Sequence, residues 1–574
     1  MLDRIAIPSA LFFAAALACA GCGGESGDGG SRIEPPPAGN PVGGTEFTPL
    51  GVPSAPGTVS TVAVTNLPGA GTVASSWDDF ILPLGRANFS VPRGMYMAAC
   101  DIDSANPRVF VSANVESASA EPIPDGQDGE LGPLWQDYYW HGTLVEARYE
   151  PGMGLVPVRQ VSQPDCIEMR GIVATPDCSV VAALCMKPND GSLHPNFQGN
   201  GPSTRDLVAE TEGLERHDRN GGTWPEELWL YEWTDGDIEG APDRYVVHGS
   251  AGSSWHYMNY RLVLGDDGTY GILTKAYNGG HEGSSLLIMD RATHDFALDR
   301  SKLWGGCEGG AGHPMFGFLA YNPATSRYAT HCGGDWDNDV HDPINVNLNG
   351  IQIEGVGRVP LYRTIANQRC CNMGAPGGIV PMEDGGYLLA FTAAPDEEDS
   401  RYIFEVERMD IHARTAAALM RVDANGEIVW GPRYVRYPEG GDRYGGWLTN
   451  ATIADLGNGS YLFGYGRTGH EDPSVDYDAD EFDFVGSRQA PFEYVLFEVD
   501  GDGNRLTEDL VTTDVGWGGQ DELIHLGDGR VAWAYVPDPV RPLEGGGGLA
   551  ISGQPPGNSS ITEITLHVYE SARP

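Results

Sequence analysis

Basic side chains are scarce in this chain: 35 Lys and Arg stand against 80 Asp and Glu, for a net charge of -45. That scarcity excludes nucleic acid and an anionic membrane surface as partners. Their binders gain affinity by neutralising phosphates with clustered basic residues, and no such cluster occurs. After the first two dozen residues there is no apolar run long enough to cross a bilayer as a helix. Two catalytic signatures are absent as well. G-x-S-x-G, which sets a serine on a strained strand-to-helix turn, does not occur. H-E-x-x-H fails because His281-Glu282 and His470-Glu471 lack the second His. The only C-x-x-C runs from Cys19 to Cys22, so no zinc-like cysteine pair is found further along.

What the chain does have is a globular and turn-rich composition. Hydrophobic residues make up 41% of its 574, with 24 Tyr, 17 Phe and 13 Trp, enough for a large core. The 79 Gly and 41 Pro argue for many turns and few long helices. The acidic excess suits solubility, salty surroundings or divalent cations.

The N-terminus carries an export pattern. Residues 1–4 hold one basic side chain, and residues 5–18 form an apolar stretch too short to span a bilayer, as in a signal peptide. The closing run Leu17-Ala18-Cys19-Ala20-Gly21-Cys22 resembles the lipobox of bacterial lipoproteins, in which small residues precede the cysteine that becomes lipidated. The resemblance implies lipidation at Cys22, preceded by Ala20 and Gly21, with Cys19 as the alternative. It implies attachment to the membrane through acyl groups and an outer-membrane location, on the periplasmic or the cell-surface side. Residues 23–57 are rich in Gly, Pro, Ser and acids without apolar periodicity, and read as a flexible tether. About thirty-five such residues would span on the order of 30 Å.

Residues 58–574 read as one repeat domain. A hairpin signature returns along the chain, at Leu262-Val-Leu-Gly-Asp-Asp-Gly268, Ile379-Val-Pro-Met-Glu-Asp-Gly385, Ile453-Ala-Asp-Leu-Gly-Asn-Gly459 and Leu523-Ile-His-Leu-Gly-Asp-Gly529, each followed by a second apolar strand. Asp-Gly and Asn-Gly supply the positive φ that a tight hairpin needs. Weaker copies turn at Asn106-Pro107, Pro176-Asp177 and Asn322-Pro323, giving seven. A second, Asp-led hairpin follows several of them, at Asp290, Asp423 and Asp500. Two hairpins make a four-stranded antiparallel blade, and blades must stack in a ring to bury their faces. The spacing therefore predicts an all-β fold, a β-propeller of seven four-stranded blades beginning near residues 92, 165, 254, 310, 370, 445 and 518. A strand between Val59 and Val91 would complete the last blade and close the circle. Six or eight blades, or two β-sandwiches, are the alternatives. The resemblance is to uncharacterised bacterial propeller lipoproteins, and for the propeller it is one of architecture. The S-x-D-x-G-x-x-W boxes of propeller sialidases are absent.

Eight cysteines lie beyond the signal, an even number that favours disulfides in an exported protein. Cys166 with Cys185, and Cys307 with Cys332, flank predicted hairpins in comparable places and are the expected pairs.

In propellers the loops that join successive blades, and those that join a blade's second and third strands, emerge together on one face. Placing this sequence on that plan gathers His281, Glu282, His313, His341, His470, Glu471, Trp447 and Trp517 on an acidic, aromatic rim as ligand-binding candidates. Alternating aspartates can turn carboxylate oxygens toward a hard cation, which makes Asp335, Asp337 and Asp339, and Asp476, Asp478 and Asp480, calcium candidates. Asp500-Gly-Asp502-Gly-Asn504 imitates a calcium loop but falls at the repeated hairpin turn, where a structural role is expected. Gly464-Tyr-Gly466-Arg-Thr-Gly469 matches G-x-G-x-x-G but lies in a hairpin and opens no helix, so it is no nucleotide site. The function expected is binding of a carbohydrate or protein ligand on the acidic face. A carbohydrate-active hydrolase or lyase using rim carboxylates or His, and a structural surface protein, are the alternatives.

Overall fold

The computed structural model describes residues 44–65, 67, 79–81, 88–90, 95–116, 140–163, 165–166, 168–188, 226–251, 260–278, 281–304, 317–332, 346–365, 376–393, 416–435, 448–468, 491–518, 521–535 and 563–573. Every regular element among them is a β-strand. The strands fall into seven sheets of four or more, antiparallel except for an added parallel edge strand on two of them, and one small two-stranded ribbon, so the chain is a seven-bladed β-propeller. The innermost strands are Tyr96–Cys100, Glu168–Ala174, Arg261–Leu264, Gly317–Asn322, Pro376–Pro381, Leu448–Asp455 and Ile524–Gly527. Each touches the next, and the seventh touches the first, which closes the ring. The blade starts expected from turn spacing all fall within seven residues of these strands.

The closing device is the expected one. Thr58–Val64 pairs antiparallel with Ile564–Glu570, so the seventh blade takes its outer strand from the N-terminal side and its three inner strands from the C-terminal side. Residues 45–54, inside the segment read as tether, also carry strands. Thr45–Glu46 lies parallel to Ile428–Val435 at the edge of blade 5, and Pro49–Ser54 lies parallel to Arg505–Thr507 at the edge of blade 6. Phe47 explains why the strap docks: its ring lies 5.2 Å from those of both Phe463 and Phe497. Pairing at a sheet edge uses the backbone, and a single aromatic anchor leaves no periodicity to read.

The core is divided among the seams between blades. In the strand Val180–Pro188, Val181, Ala183 and Cys185 face blade 1, while Ala182 and Leu184 face blade 3. Successive side chains of a strand point to opposite faces, and here both faces are covered, which is why the strands read as continuous apolar runs. The turns behave as their chemistry requires. Gly268, Gly385, Gly459 and Gly529 all have φ between 72° and 90° at the first hairpin of their blades. In the second hairpins the Asp290, Asp423 and Asp500 carboxylates accept hydrogen bonds from amides two to four residues on. The Asp500 loop is thus a hairpin turn.

Two disulfides fix the first two blades. Cys166–Cys185 forms as expected, and Cys100–Cys178 ties the inner strand of blade 1 to the first turn of blade 2. Cys332 is disulfide-bonded too, while its expected partner Cys307 lies outside the described residues.

Candidate functional site

The two faces of the ring are built differently. On the face of the tight hairpins, polar side chains stitch neighbouring blades. Arg108 donates to the Gly236 carbonyl at 3.0 Å, Tyr270 to Glu232 at 2.6 Å, and Tyr321 to Asp266 at 2.6 Å. Asn322 donates to the Met382 and Gly386 carbonyls, Trp430 to the Gly501 carbonyl, and Tyr569 to the buried Glu498. Tyr149, from blade 1, reaches Glu570 of blade 7 at 2.8 Å. These groups are engaged with each other and with backbone.

The opposite face is where the long connections leave. The strand ends that flank 117–139, 189–225, 333–345, 394–415, 469–490 and 536–562 lie there, as do those that flank most blade-to-blade connections. His313, His341, Trp447, His470 and Glu471 belong to these connections and lie outside the described residues, as do Asp335, Asp337, Asp339, Asp476, Asp478, Asp480 and Cys22. His281 and Glu282 start the strand His281–Asp290, in register with Asn278 and Tyr277 at the same end of blade 3. Trp517 is a correction. Its side chain is only 1% exposed and packs with Tyr494 and Trp533, in space that Gly464 leaves by having no side chain. A large apolar ring at a blade junction gains more from burial than from a wet rim, so Trp517 is core and not a ligand residue. The same contact accounts for Gly464 in the glycine-rich match.

At the mouth of the central channel stand three residues the sequence reading passed over. Arg261 opens the inner strand of blade 3 and is 1% exposed. Its Nε donates to the Gly317 carbonyl at 3.0 Å, and its guanidinium lies 5.0 Å from the Tyr96 ring and 4.8 Å from the Phe318 ring. Across the channel, Glu522 precedes the inner strand of blade 7 and brings Oε1 to 3.5 Å from the Arg261 Nη1. Burial pushes the Glu522 carboxyl up to about 7, against the downward pull of Arg261. Its neighbour Asp521 is buried and accepts hydrogen bonds from the Met95 and Gly518 amides, pinning blade 7 to blade 1. Beneath them is a cavity of about 300 Å³ lined by all seven inner strands, with Glu522, Asp521 and Thr452 the polar or acidic side chains among mostly apolar ones. A charged residue opening an otherwise fully apolar inner strand, as in Arg261-Leu-Val-Leu, was the available signal.

Two histidines among the described residues are buried. His331 bonds the Gly378 carbonyl and the Tyr362 hydroxyl, both at 2.8 Å, and burial holds its imidazole down at about 4. His567, buried under Trp533, is held down at about 3. Both are neutral at physiological pH and serve packing. Among the described residues no cluster of His, Cys, Asp and Glu is arranged to hold a metal ion.

No protein-family model and no curated protein matches the chain. Solved structures do resemble it. The WD40 domain of Toxoplasma gondii coronin is 8% identical, with a TM-score of 0.37, over 91% of this chain and 90% of that one. The β-propeller domain of the Trilobed protease from Pyrococcus furiosus is 9% identical, TM-score 0.28, over 74% and 97%. A Penicillium chrysogenum α-L-arabinanase is 10% identical, TM-score 0.31, over 71% and 94%. At such identities the likeness is one of architecture alone.

Proposed function

We propose that the protein is an exported, lipid-anchored propeller that binds a carbohydrate or protein ligand on the acidic face from which its long connections leave. The observation that carries this reading is the division between the faces. The hairpin face commits its polar groups to stitching blades, and the strand ends at the opposite face flank the long connections, whose sequence is acidic and His-bearing. Binding residues concentrate on loops that a rigid scaffold positions. The disulfides Cys100–Cys178 and Cys166–Cys185 support export, since such bonds persist in oxidising compartments. Binding is favoured over hydrolysis at the described part of the mouth, because Asp521 is occupied by backbone amides and Glu522 faces an arginine without a second carboxylate free to act with it.

The test is a glycan panel and a cell-envelope protein panel probed with the chain from residue 23 onward, with and without calcium, followed by titration of any hit against His341→Ala and His470→Ala. A binding face gives a saturable hit and a graded loss of about tenfold per variant, while reducing-end release stays at background. A loss of turnover by about three orders of magnitude in a folded variant would establish the hydrolase or lyase instead. No hit on either panel would sink the reading. Lipidation is checked by fatty-acid labelling: Cys22→Ala abolishes it if Cys22 is the anchor, and Cys19→Ala does so if Cys19 is.

A further inference from the structure

Thr452, Asp521 and Glu522 are the polar side chains on the wall of the central cavity, and main chain supplies the rest of its polarity. Each inner strand is the terminal strand of its sheet, so its second edge, with amides and carbonyls, turns toward the channel. Three of the seven also carry a one-residue bulge at the loop-face end, where the cavity begins. The register steps between Met169 and Ile172 in blade 2, between Pro376 and Gly378 in blade 5, and between Thr449 and Thr452 in blade 6, whereas the inner strands of blades 1, 3 and 4 pair without a step. A bulge takes a residue out of the ladder and leaves its main-chain groups to other partners. Main chains of neighbouring blades also come close there: a side chain at Gly377 would collide with the Ala451 carbonyl. Polar and apolar atoms therefore share the wall.

The charged groups at that end already answer one another. Asp521 accepts from the Met95 and Gly518 amides, Glu522 faces Arg261, and Arg170 is buried on the neighbouring inner strand. A further charge placed there would lose its water without gaining a partner. A fully apolar guest would strand the amides and carbonyls of the wall. A hydroxyl both donates and accepts, which suits a wall where the two kinds of group alternate. We propose that the cavity binds a small uncharged polyol of the size of one monosaccharide ring, its hydroxyls bonded to inner-strand main chain and Thr452 and its C–H faces against Met97, Leu262 and Phe318. The volume of about 300 Å³ matches the lower end of small-molecule pockets. The polyol replaces the water that a buried strand edge otherwise needs. The site lies inside the ring and does not rest on the reading of the loop face.

D-Glucose is the probe, with D-glucosamine, D-glucuronate and cyclohexanol as its cationic, anionic and apolar counterparts. Each is titrated into the chain from residue 23 onward and followed by saturation-transfer NMR, at about pH 7 in about 0.15 M salt. Glucose is expected to saturate with a dissociation constant of about 1 mM, as befits a ligand of about a dozen non-hydrogen atoms. Each counterpart should bind at least about tenfold more weakly. Thr452→Val keeps the shape and removes the hydroxyl, so it should weaken glucose by about fivefold. Ile379→Phe takes up cavity space and should weaken it by more than about tenfold. His341→Ala, on the loop face, should leave it unchanged. An absence of saturable binding would mean that water alone fills the cavity and would overturn the proposal. So would a charged or apolar counterpart that binds as well as glucose, or wild-type affinity in both cavity variants. Glucose binding lost in His341→Ala and kept in the cavity variants would place the sugar on the loop face, overturning this proposal while supporting that reading.

Discussion

Replacing Glu522 by Gln should make the propeller more stable at alkaline pH and leave it unchanged at acid pH, the reverse of what removing an ion-pair partner usually does. Burial raises the folded-state carboxyl from 4.5 to about 7. A raised carboxyl binds its proton more tightly in the folded chain than in the unfolded one. Stability is therefore full below about 4.5, declines as pH rises toward about 7, and is lowest above it. A gap of 2.5 units at about 1.4 kcal/mol each is about 3 kcal/mol. Because the side chain is 22% exposed, about 2 kcal/mol is the figure to expect. Gln imitates the protonated acid, so the difference between variant and wild type isolates this group from every other titration in the protein. The assay is urea unfolding of both proteins across pH, with Gln expected ahead by about 2 kcal/mol at pH ~8 and level at pH ~4. A difference that does not change with pH, or a wild type more stable at pH ~8, would refute the reasoning.

Three further outcomes follow from the seams and the strap. His331 is held down at about 4 against an ordinary 6.5, so it contributes stability that is present above 6.5 and is lost as pH falls toward 4, by about 3 kcal/mol; His331 ring signals in an NMR titration should stay those of the neutral form down to about pH 4. Removing Cys100–Cys178, which spans 78 residues, should cost about 4 kcal/mol, and removing Cys166–Cys185, which spans 19, about 3 kcal/mol, so the first double-Ala variant should melt below the second. Phe47→Ala should cost about 1–2 kcal/mol and speed protease cleavage near residues 45–54, because its ring is the anchor of the strap between Phe463 and Phe497; cleavage at the wild-type rate would mean that the strap does not dock.

The ring was legible because it is written locally. Four of the seven first hairpins turn at an Asx-Gly pair, as at 266–268 and 457–459, so the repeat could be counted from its turns. The closing strand Thr58–Val64 was legible for a related reason: the last blade ran out of strands and the N-terminal side had one to give. Cys166–Cys185 lies across one hairpin and could be guessed, whereas Cys100–Cys178 joins two blades and depends on how they dock. Trp517 shows where position in the chain misleads. Its connection leads to the channel face, but its ring turns inward onto Gly464. Arg261 and Glu522 lie 261 residues apart in sequence and meet only because the ring closes, so no spacing announces them. The strap was hidden because its strands pair by backbone at sheet edges.

The central claim is that the loop face binds the ligand, while the side chains named on the hairpin face serve to hold neighbouring blades together. The measurement that tests it most directly compares ligand affinity and melting temperature for two sets of variants, His341→Ala and His470→Ala on the loop face against Arg300→Gln and Asn322→Ala on the hairpin face. Arg300 bridges Asp267 and Glu354, and Asn322 ties blade 4 to blade 5, so that pair should lower the melting temperature by several degrees and leave affinity unchanged. The loop-face pair should lose affinity by about tenfold and melt as wild type does. Hairpin-face variants that lose affinity while loop-face variants keep it would contradict the account.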